Sequence, residues 1–375
     1  HLVKVRERIM VDGTPIAEDE FVTELAEMIP VIEMMKESYV DGVPSYFEIT
    51  TALAFQHFAR VHVTAAVIEV GMGGKFDATN VVRPAVSIVT NIGFDHTEVL
   101  GDTLEAIASD KREIIKPSSV AITAVTQPNI LQIIKEKSQS VHVPCRVVGE
   151  DIRMENVHLC AYRSIVEMAS GRPTEFDYVS DTRTVRGLSM SISGKHQIRN
   201  AACAITAVTE SPFSVDDAAI RHALTTLRYP GRMEYVRIGN VHVILDGAHN
   251  PMKMESLATA LAAHIPGVKF DTLMAVKGDK DAASMIRTLA PLVSRWFAAT
   301  LERQTDRGEN VMLGAEMLAD AISSADSAKG VQTIPYLTPF LNDLRDGVIR
   351  VEGDTLLITG SLYLIGAVKE WMENH

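Results

Sequence analysis

The chain has 375 residues, 46% of them hydrophobic and 22% charged. At about 150 residues per domain the length suggests two domains, and the composition excludes a wholly disordered chain. With 36 Lys and Arg against 48 Asp and Glu the net charge is −12, which argues against broad binding to a nucleic-acid backbone and leaves room for a local basic pocket.

Residues 18–36 carry Phe21, Leu25, Met28, Ile32 and Met35 on one helical face, with Pro30 a candidate kink. Strands and helices then alternate. Residues 61–70 read as a buried strand ending at Glu69, and 85–91 as a second, ending near Asp95 and His96. Asp102 is a candidate N-cap for a helix running to Lys111, with Glu105 three residues on. A strand is expected at 118–123, a helix at 128–138, and several short strands with turns across 141–190. Helices follow at 198–210 and 215–227, the second opened by Ser214 and Asp217. Tyr229-Pro230-Gly231 marks a change of pattern, which divides the chain into domains 1–228 and 229–375. Beyond it strands are expected at 241–246, 270–276, 295–300 and 355–359, with helices near 252–264, 281–291, 309–324 and 361–373. Such alternation implies a mostly parallel, doubly wound sheet, which binds ligands beyond the carboxyl ends of its strands.

The three cysteines, Cys145, Cys160 and Cys203, are odd in number and lack C-x-x-C spacing. Reduced, buried thiols in the cytoplasm are expected rather than disulfides or a cysteine zinc site. No window approaches 18 uncharged apolar residues, so no membrane span or membrane partner is expected. There is no H-E-x-x-H, no G-x-S-x-G and no aromatic-basic interleaving to suggest a nucleic-acid partner.

Five strings carry candidate chemistry. In E-V-G-M-G-G-K-F-D-A-T-N, Glu69 ends an apolar run, and a carboxylate there suits Mg²⁺; a surface loop is the plain alternative. In T-N-I-G-F-D-H-T-E, the Asp95-His96 pair could ligate a metal, hold a phosphate or simply cap the loop. In S-G-K-H-Q, which leads to Asn200, Lys195 and the amides opening a helix could meet an anion, or form a solvated turn. In P-G-R followed by L-D-G-A-H-N-P, Arg232 could fork onto a phosphate and Asp246 accept from ribose hydroxyls, with an Asn250-capped turn as the alternative. In I-T-G-S-L-Y, free amides near Ser361 could receive a carboxylate, or Ser361 could be an ordinary N-cap.

In this order and spacing the five strings resemble the folylpolyglutamate synthase and dihydrofolate synthase family of Mur-type ligases. The resemblance covers nearly the whole chain and is weakest across 141–190. It implies an α/β fold with a parallel-sheet nucleotide-binding domain and a smaller, doubly wound C-terminal domain. It also implies ATP-dependent ligation: ATP converts a pterin or folate carboxylate to an acyl phosphate, which the amine of L-glutamate attacks. ATP and Mg²⁺ are the implied cofactors, dihydropteroate or folate and L-glutamate the substrates, and a monomer the implied state. By motif position Glu69 and His96 would hold Mg²⁺, and Lys111 would be a carbamylated catalytic lysine. Asn200, Arg232 and Asp246 would contact ATP. His249 would act on the glutamate side, with Ser361 and Tyr363 beside it. Phe47, in Tyr46-Phe47-Glu48, and Asp77-Ala78 would flank the pterin. The active site is expected to bring Arg232 and Asp246 to Glu69.

Two departures stand out. Arg112-Glu113 replace the small residues the family has after its lysine, and no G-x-x-x-x-G-K-[ST] phosphate loop occurs. Because the chain begins at His1, inside what resembles the family's Thr-Ser-Pro-His-Leu segment, an amino-terminal truncation is expected, and with it a fragment unable to turn over. The alternatives are a non-catalytic nucleotide- or pterin-binding relative without a phosphate loop, and a Mur-type ligase with another acceptor.

Overall fold

The computed structural model describes every residue except 39–41, 160, 170–172, 193 and 302–311, so Cys160 and Ser193 lie outside the described residues. The chain forms two compact units, Val3–Val148 with Glu210–Pro212, and Gly149–Thr209 with Phe213–His375.

The first unit opens with a hairpin of β1 (Met10–Val11) and β2 (Thr14–Pro15), then α1 (Glu18–Ser38) and α2 (Tyr46–Arg60). Phe21, Leu25 and Met28 pack on Ile9, Ile16 and Leu53, as the helical spacing predicts, and α1 continues through Pro30 as one element. A capping box starts α2: Glu48 N–H donates to Ser45 Oγ at 3.2 Å, and Ser45 N–H to Glu48 Oε2 at 2.7 Å. The hydrogen bonds from Ser45 hold the Glu48 carboxyl below the usual carboxylate range. The helices also share a buried polar pair, Glu24 Oε1 and His57 Nδ1, 3.0 Å apart.

The chain continues through β3 (Val86–Val89), α3 (Thr97–Leu100), α4 (Leu104–Lys111), β4 (Val120–Thr123), α5 (Pro128–Ser140) and β5 (Cys145–Val147). The three strands make a parallel sheet in the order β3-β4-β5, over a core that includes Ile107, Ala121, Ile130 and Ile134. Two expectations are corrected here. Residues 61–70 form no strand: they pair with none of the described residues' strands, and Val67 is fully exposed. A β-branched run becomes a strand only where a neighbour accepts its ladder. The N-cap of α4 is Thr103, whose Oγ1 accepts from Ala106 N–H at 3.1 Å, not Asp102.

The second unit begins with β6 (Ile152–His158), α6 (Ile165–Ala169), β7 (Thr174–Ser180) and β8 (Thr184–Met190). Its three strands are antiparallel, which accounts for the short-strand pattern read across 141–190. Helices α7 (Lys195–Glu210) and α8 (Asp217–Thr226) follow, the latter capped by Asp216 rather than Ser214.

The remainder is a doubly wound sheet. Its elements are β9 (Glu234–Ile238), β10 (Val241–Leu245), α9 (Pro251–His264), β11 (Phe270–Met274), α10 (Ala282–Leu289), β12 (Val293–Ala299), α11 (Ala315–Ala325), β13 (Val331–Ile334), α12 (Leu337–Arg345), β14 (Thr355–Thr359) and α13 (Leu362–Asn374). The strand order is β13-β12-β11-β14-β10-β9, parallel except for β9. β9, β13 and α12 are additional to the elements read from the sequence, and the part of the 309–324 helix before 312 lies outside the described residues. The compact units divide at Val148/Gly149, while the change of pattern at Tyr229 marks the entry to this sheet.

The path runs from β10 through β11 and β12 to β13, then returns to insert β14 between β10 and β11. Right-handed crossovers therefore place helices on both faces. Met254 and Leu257 of α9, Met285 of α10 and Leu318 of α11 share one core. Phe340 and Leu341 of α12 and Leu364 and Val368 of α13 share the other.

Candidate active site

Strands β10 and β14 are parallel neighbours, yet α9 leaves the first toward one face and α13 leaves the second toward the other. Their carboxyl ends thus flank the point where the winding reverses, the place where open α/β sheets bind ligands. The two connecting loops are tied together: Asp246 N–H donates to Ile358 O at 3.0 Å and Gly360 N–H to Ala248 O at 3.1 Å. Gly360 has φ +101°, and a Cβ there would sit 2.6 Å from Ala275 O, so no other residue fits this close approach.

Asp246 is the buried acid of this crevice. Its Oδ2 accepts from Met233 N–H and its Oδ1 from Ala248 N–H, both at 2.9 Å. Met233 is held at φ +47°, a left-handed conformation that an unbranched residue adopts only when its surroundings fix it. Burial pushes the Asp246 carboxyl above the usual carboxylate range, opposed by the Met233 and Ala248 N–H groups and by the charge of Arg232. The Arg232 guanidinium lies 5.8 Å from the Tyr229 ring centroid. It also faces His196 at the start of α7: partial burial, then Arg232, then His264, hold that imidazole below its ordinary pKa. Lys195 is the residue that the S-G-K-H-Q string singles out; His196 beside it has no signature apart from its neighbours. Asn200, one turn further along α7, is exposed, and its Nδ2 donates to Gln197 Oε1 at 3.2 Å.

His249 follows directly. Its Nδ1 lies 2.7 Å from Gly247 O, a carbonyl that only accepts, so Nδ1 carries a proton. Its Nε2 lies 2.9 Å from Lys253 Nζ. Asn250 caps α9 by accepting from Lys253 N–H at 2.9 Å. Across the crevice Ser361 caps α13, its Oγ accepting from Tyr363 N–H at 3.1 Å; Ser361 is buried and Tyr363 half-buried. Asp246, His249, Ser361 and Tyr363 are therefore brought to one switch point, with Arg232 facing Asp246. Lys253 was missed. A cation in the first turn of a helix, where the dipole favours acids, was the available signal.

The first unit gathers another set. A Cβ on Gly71 would lie 2.4 Å from the Phe47 ring, and one on Gly74 would lie 2.9 Å from Lys111 O. The 71–77 turn thus lies directly against both Phe47 and Lys111. Asp77 closes it: Oδ2 accepts from Met72 N–H at 2.8 Å and Oδ1 from Thr79 N–H at 3.0 Å, capping the short helical turn at Ala78–Val81. The charges after Lys111 engage α5. Glu113 pairs with Lys137 at 2.6 Å, and Arg112 donates to Ile133 O at 3.4 Å. Glu69 is exposed. His96, at φ +52°, precedes α3 with its nitrogens 3.9 Å from Asp95 and 3.7 Å from Glu98. Among the described residues no three His, Cys, Asp or Glu cluster as a metal cage. The exposed Glu69 carboxylate and the Asp95 and Glu98 carboxylates around His96 are hard oxygen donors of the kind Mg²⁺ takes together with water and phosphate oxygens.

Two family models match the chain, the Mur ligase middle domain over residues 23–208 and the Mur ligase glutamate ligase domain over 231–362. These define the class: a Mur-type, ATP-dependent acid–amino-acid ligase. Over 382 residues the chain is 30% identical to the dihydrofolate synthase/folylpolyglutamate synthase of Bacillus subtilis, covering 99% of this chain and 82% of that one. The folylpolyglutamate synthase of Mycobacterium tuberculosis, solved with ADP and AMPPCP, superposes with a TM-score of 0.84 at 26% identity, covering 99% of this chain and 82% of that one. Escherichia coli FolC, solved with DHPP and ADP, gives 0.81 at 26% identity, covering 100% and 80%. The chain belongs to the folylpolyglutamate synthase/dihydrofolate synthase family. No helix among the described residues is long and apolar enough to cross a membrane.

Proposed function

We propose that the protein joins L-glutamate to dihydropteroate, to a reduced folate, or to both, using ATP and Mg²⁺. A carboxylate is a poor electrophile until one oxygen becomes a leaving group. Transfer of the γ-phosphoryl group of ATP to the acceptor carboxylate makes an acyl phosphate and ADP. The glutamate amine then attacks the carbonyl carbon; the C–N bond forms, the C–O bond to phosphate breaks, and the amine gives up a proton. The observation that carries the reading is the buried Asp246, opposed by Arg232, at the reversal of a sheet matched by a glutamate ligase domain.

In this reading Asp246 accepts from ribose hydroxyls, Arg232 forks onto phosphate, and Asn200 contacts the nucleotide. His249, Ser361 and Tyr363 serve the glutamate side. Phe47, Asp77 and Ala78 serve the pterin, supported by the contact of Phe47 with the turn that Asp77 closes. Glu69 and His96 would hold Mg²⁺, which supplies charge neutralisation on the phosphates when bound. A carbamate on Lys111 would replace a cation that repels the metal by an anion that attracts it. The engagement of Arg112 and Glu113 with α5 leaves that role open to Lys111. The reading carries with it a monomer acting in the cytoplasm.

The test is phosphate release by the protein expressed from its natural start, with ATP, Mg²⁺, L-glutamate and either dihydropteroate or tetrahydrofolate. Release that depends on the acceptor is expected, and the better acceptor names the activity. A folded protein that releases none with either acceptor overturns the reading in favour of another acceptor or a binding-only relative.

A further inference from the structure

Asp110 is the residue before Lys111, in the last turn of α4, where the helix dipole disfavours an acid. Its half-buried carboxylate is turned onto the glycine turn of the E-V-G-M-G-G-K string. Lys75 N–H donates to Asp110 Oδ1 at 3.4 Å, and a Cβ on Gly73, which has φ +70°, would strike the same oxygen. Gly73 and Gly74 are both buried, and a Cβ on Gly74 would lie 2.9 Å from Asp110 O and from Lys111 O. Two residues without side chains therefore let the turn lie directly on the end of α4, and Asp110 is the side chain of α4 that bonds it.

The place of this turn governs its neighbours on both sides. Before it, Gly71 rests on the Phe47 ring; after it, Asp77 accepts from Met72 N–H and closes the turn. Both Phe47 and Asp77 flank the pterin in the ligase reading. The far end of the turn is braced separately: Asn80 Nδ2 donates to Lys75 O at 3.3 Å, and Lys116 Nζ to Val82 O at 2.8 Å. Loss of the Asp110 carboxylate would thus free the middle of the turn and leave its end anchored. Phe47, Asp77 and Asp110 belong to the first compact unit, whereas Asn200, Arg232, Asp246 and His249 belong to the second, so the effect should fall on the acceptor. We propose that Asp110 is a positioning residue for the pterin acceptor: its carboxylate fixes the 73–75 turn against α4, and with it the places of Phe47 and Asp77. The inference rests on the ligase reading and adds a residue to it.

The experiment is steady-state kinetics of the protein from its natural start, with dihydropteroate or tetrahydrofolate, whichever the parent uses, and with Asp110→Ala and Asp110→Asn. Ala removes the accepting oxygen, and Asn keeps one in its place. Ala is expected to raise the acceptor KM about five- to tenfold, the worth of roughly one hydrogen bond, with the KM values for ATP and L-glutamate within about twofold of the parent. Asn should recover most of the loss. Thermal melts within a few degrees of the parent would separate this from misfolding, and Asp110→Ser serves if Ala fails to fold. An active parent whose folded Ala variant keeps its acceptor KM overturns the inference alone. So does a fall in kcat with the acceptor KM unchanged, which would place Asp110 with Lys111 instead, and so does an equal rise in all three KM values, which would make its role general support of the fold. A parent that ligates no glutamate overturns the ligase reading and this inference with it.

Discussion

Replacement of Asp246 tests whether its carboxylate builds the crevice as well as serving a ligand. In Asp246→Ala, the N–H groups of Met233 and Ala248 lose their acceptors together. Each buried N–H left unsatisfied costs about 1–3 kcal/mol, so the loss should reach about 2–6 kcal/mol. Asp246→Asn keeps one of the two bonds and turns an amide N–H against the other donor, for about 1–3 kcal/mol. A term of opposite sign competes, since both variants remove a charge that burial penalises. That relief is limited, because the carboxylate already receives two N–H groups and faces Arg232. Urea unfolding followed by circular dichroism measures the difference. The pH dependence has a definite sign. A carboxyl whose folded pKa is raised above its unfolded value stabilises fully below the unfolded pKa, and this contribution is lost as pH rises through the folded pKa. Asparagine does not titrate, so the stability gap between parent and Asp246→Asn should widen as pH falls from neutrality through the Asp246 pKa. An Asn variant as stable as the parent, together with an Ala variant less than about 1 kcal/mol worse, would refute the structural role assigned to this acid.

Three further outcomes are expected. Gly360→Ala places a Cβ 2.6 Å from Ala275 O at φ +101°, and should cost at least about 2 kcal/mol in urea unfolding; a neutral result would mean that the β14 loop moves freely. Glu24→Ala leaves the buried His57 Nδ1 without its partner and should cost about 1–3 kcal/mol, while a double variant, Glu24→Leu with His57→Phe, should recover part of it; equal losses in both would remove the pair as the cause. Burial pushes the Cys203 thiol up to about 11, so at pH 8 iodoacetamide should alkylate half-buried Cys145 first and leave Cys203 unmodified until the protein unfolds. Peptide mass spectrometry reads the order, and early labelling of Cys203 would contradict its buried placement.

The C-terminal sheet was legible because its strands are buried on both faces and its helices on one. Phe270–Met274 is buried at every position, and such a run between helical periods reads as a parallel strand. β13 was not legible: only Ile334 is buried in this edge strand, so its four residues carry neither alternation nor an apolar run. Residues 61–70 mislead in the opposite direction, because apolar content reports a tendency to extend and says nothing of a partner strand. Helix starts were missed by one or two residues, at Thr103 and Asp216, where neighbouring Asp, Ser and Thr are equally able to cap and only the backbone decides.

The site divides along the same line. Asp246, His249 and Ser361 could be named because each follows an apolar strand directly, and in a wound sheet that position faces the ligand crevice. Their local roles were not visible. Asp246 and Ser361 both accept backbone N–H groups, so the turn-forming and ligand-binding readings describe the same atoms. Lys253 illustrates what sequence spacing leaves out. One helical turn separates it from His249, a spacing that ordinarily means only a shared helix face. The pair gains meaning from the reversal of winding beside it, which makes that helix end a crevice wall. That is not a property of the two residues. The same holds for Arg112 and Glu113, which look incompatible with Lys111 in sequence until α5 supplies Lys137 and Ile133 O as their partners. A departure from a family's motif is therefore weak evidence of lost chemistry until the partners of the unusual side chains are known.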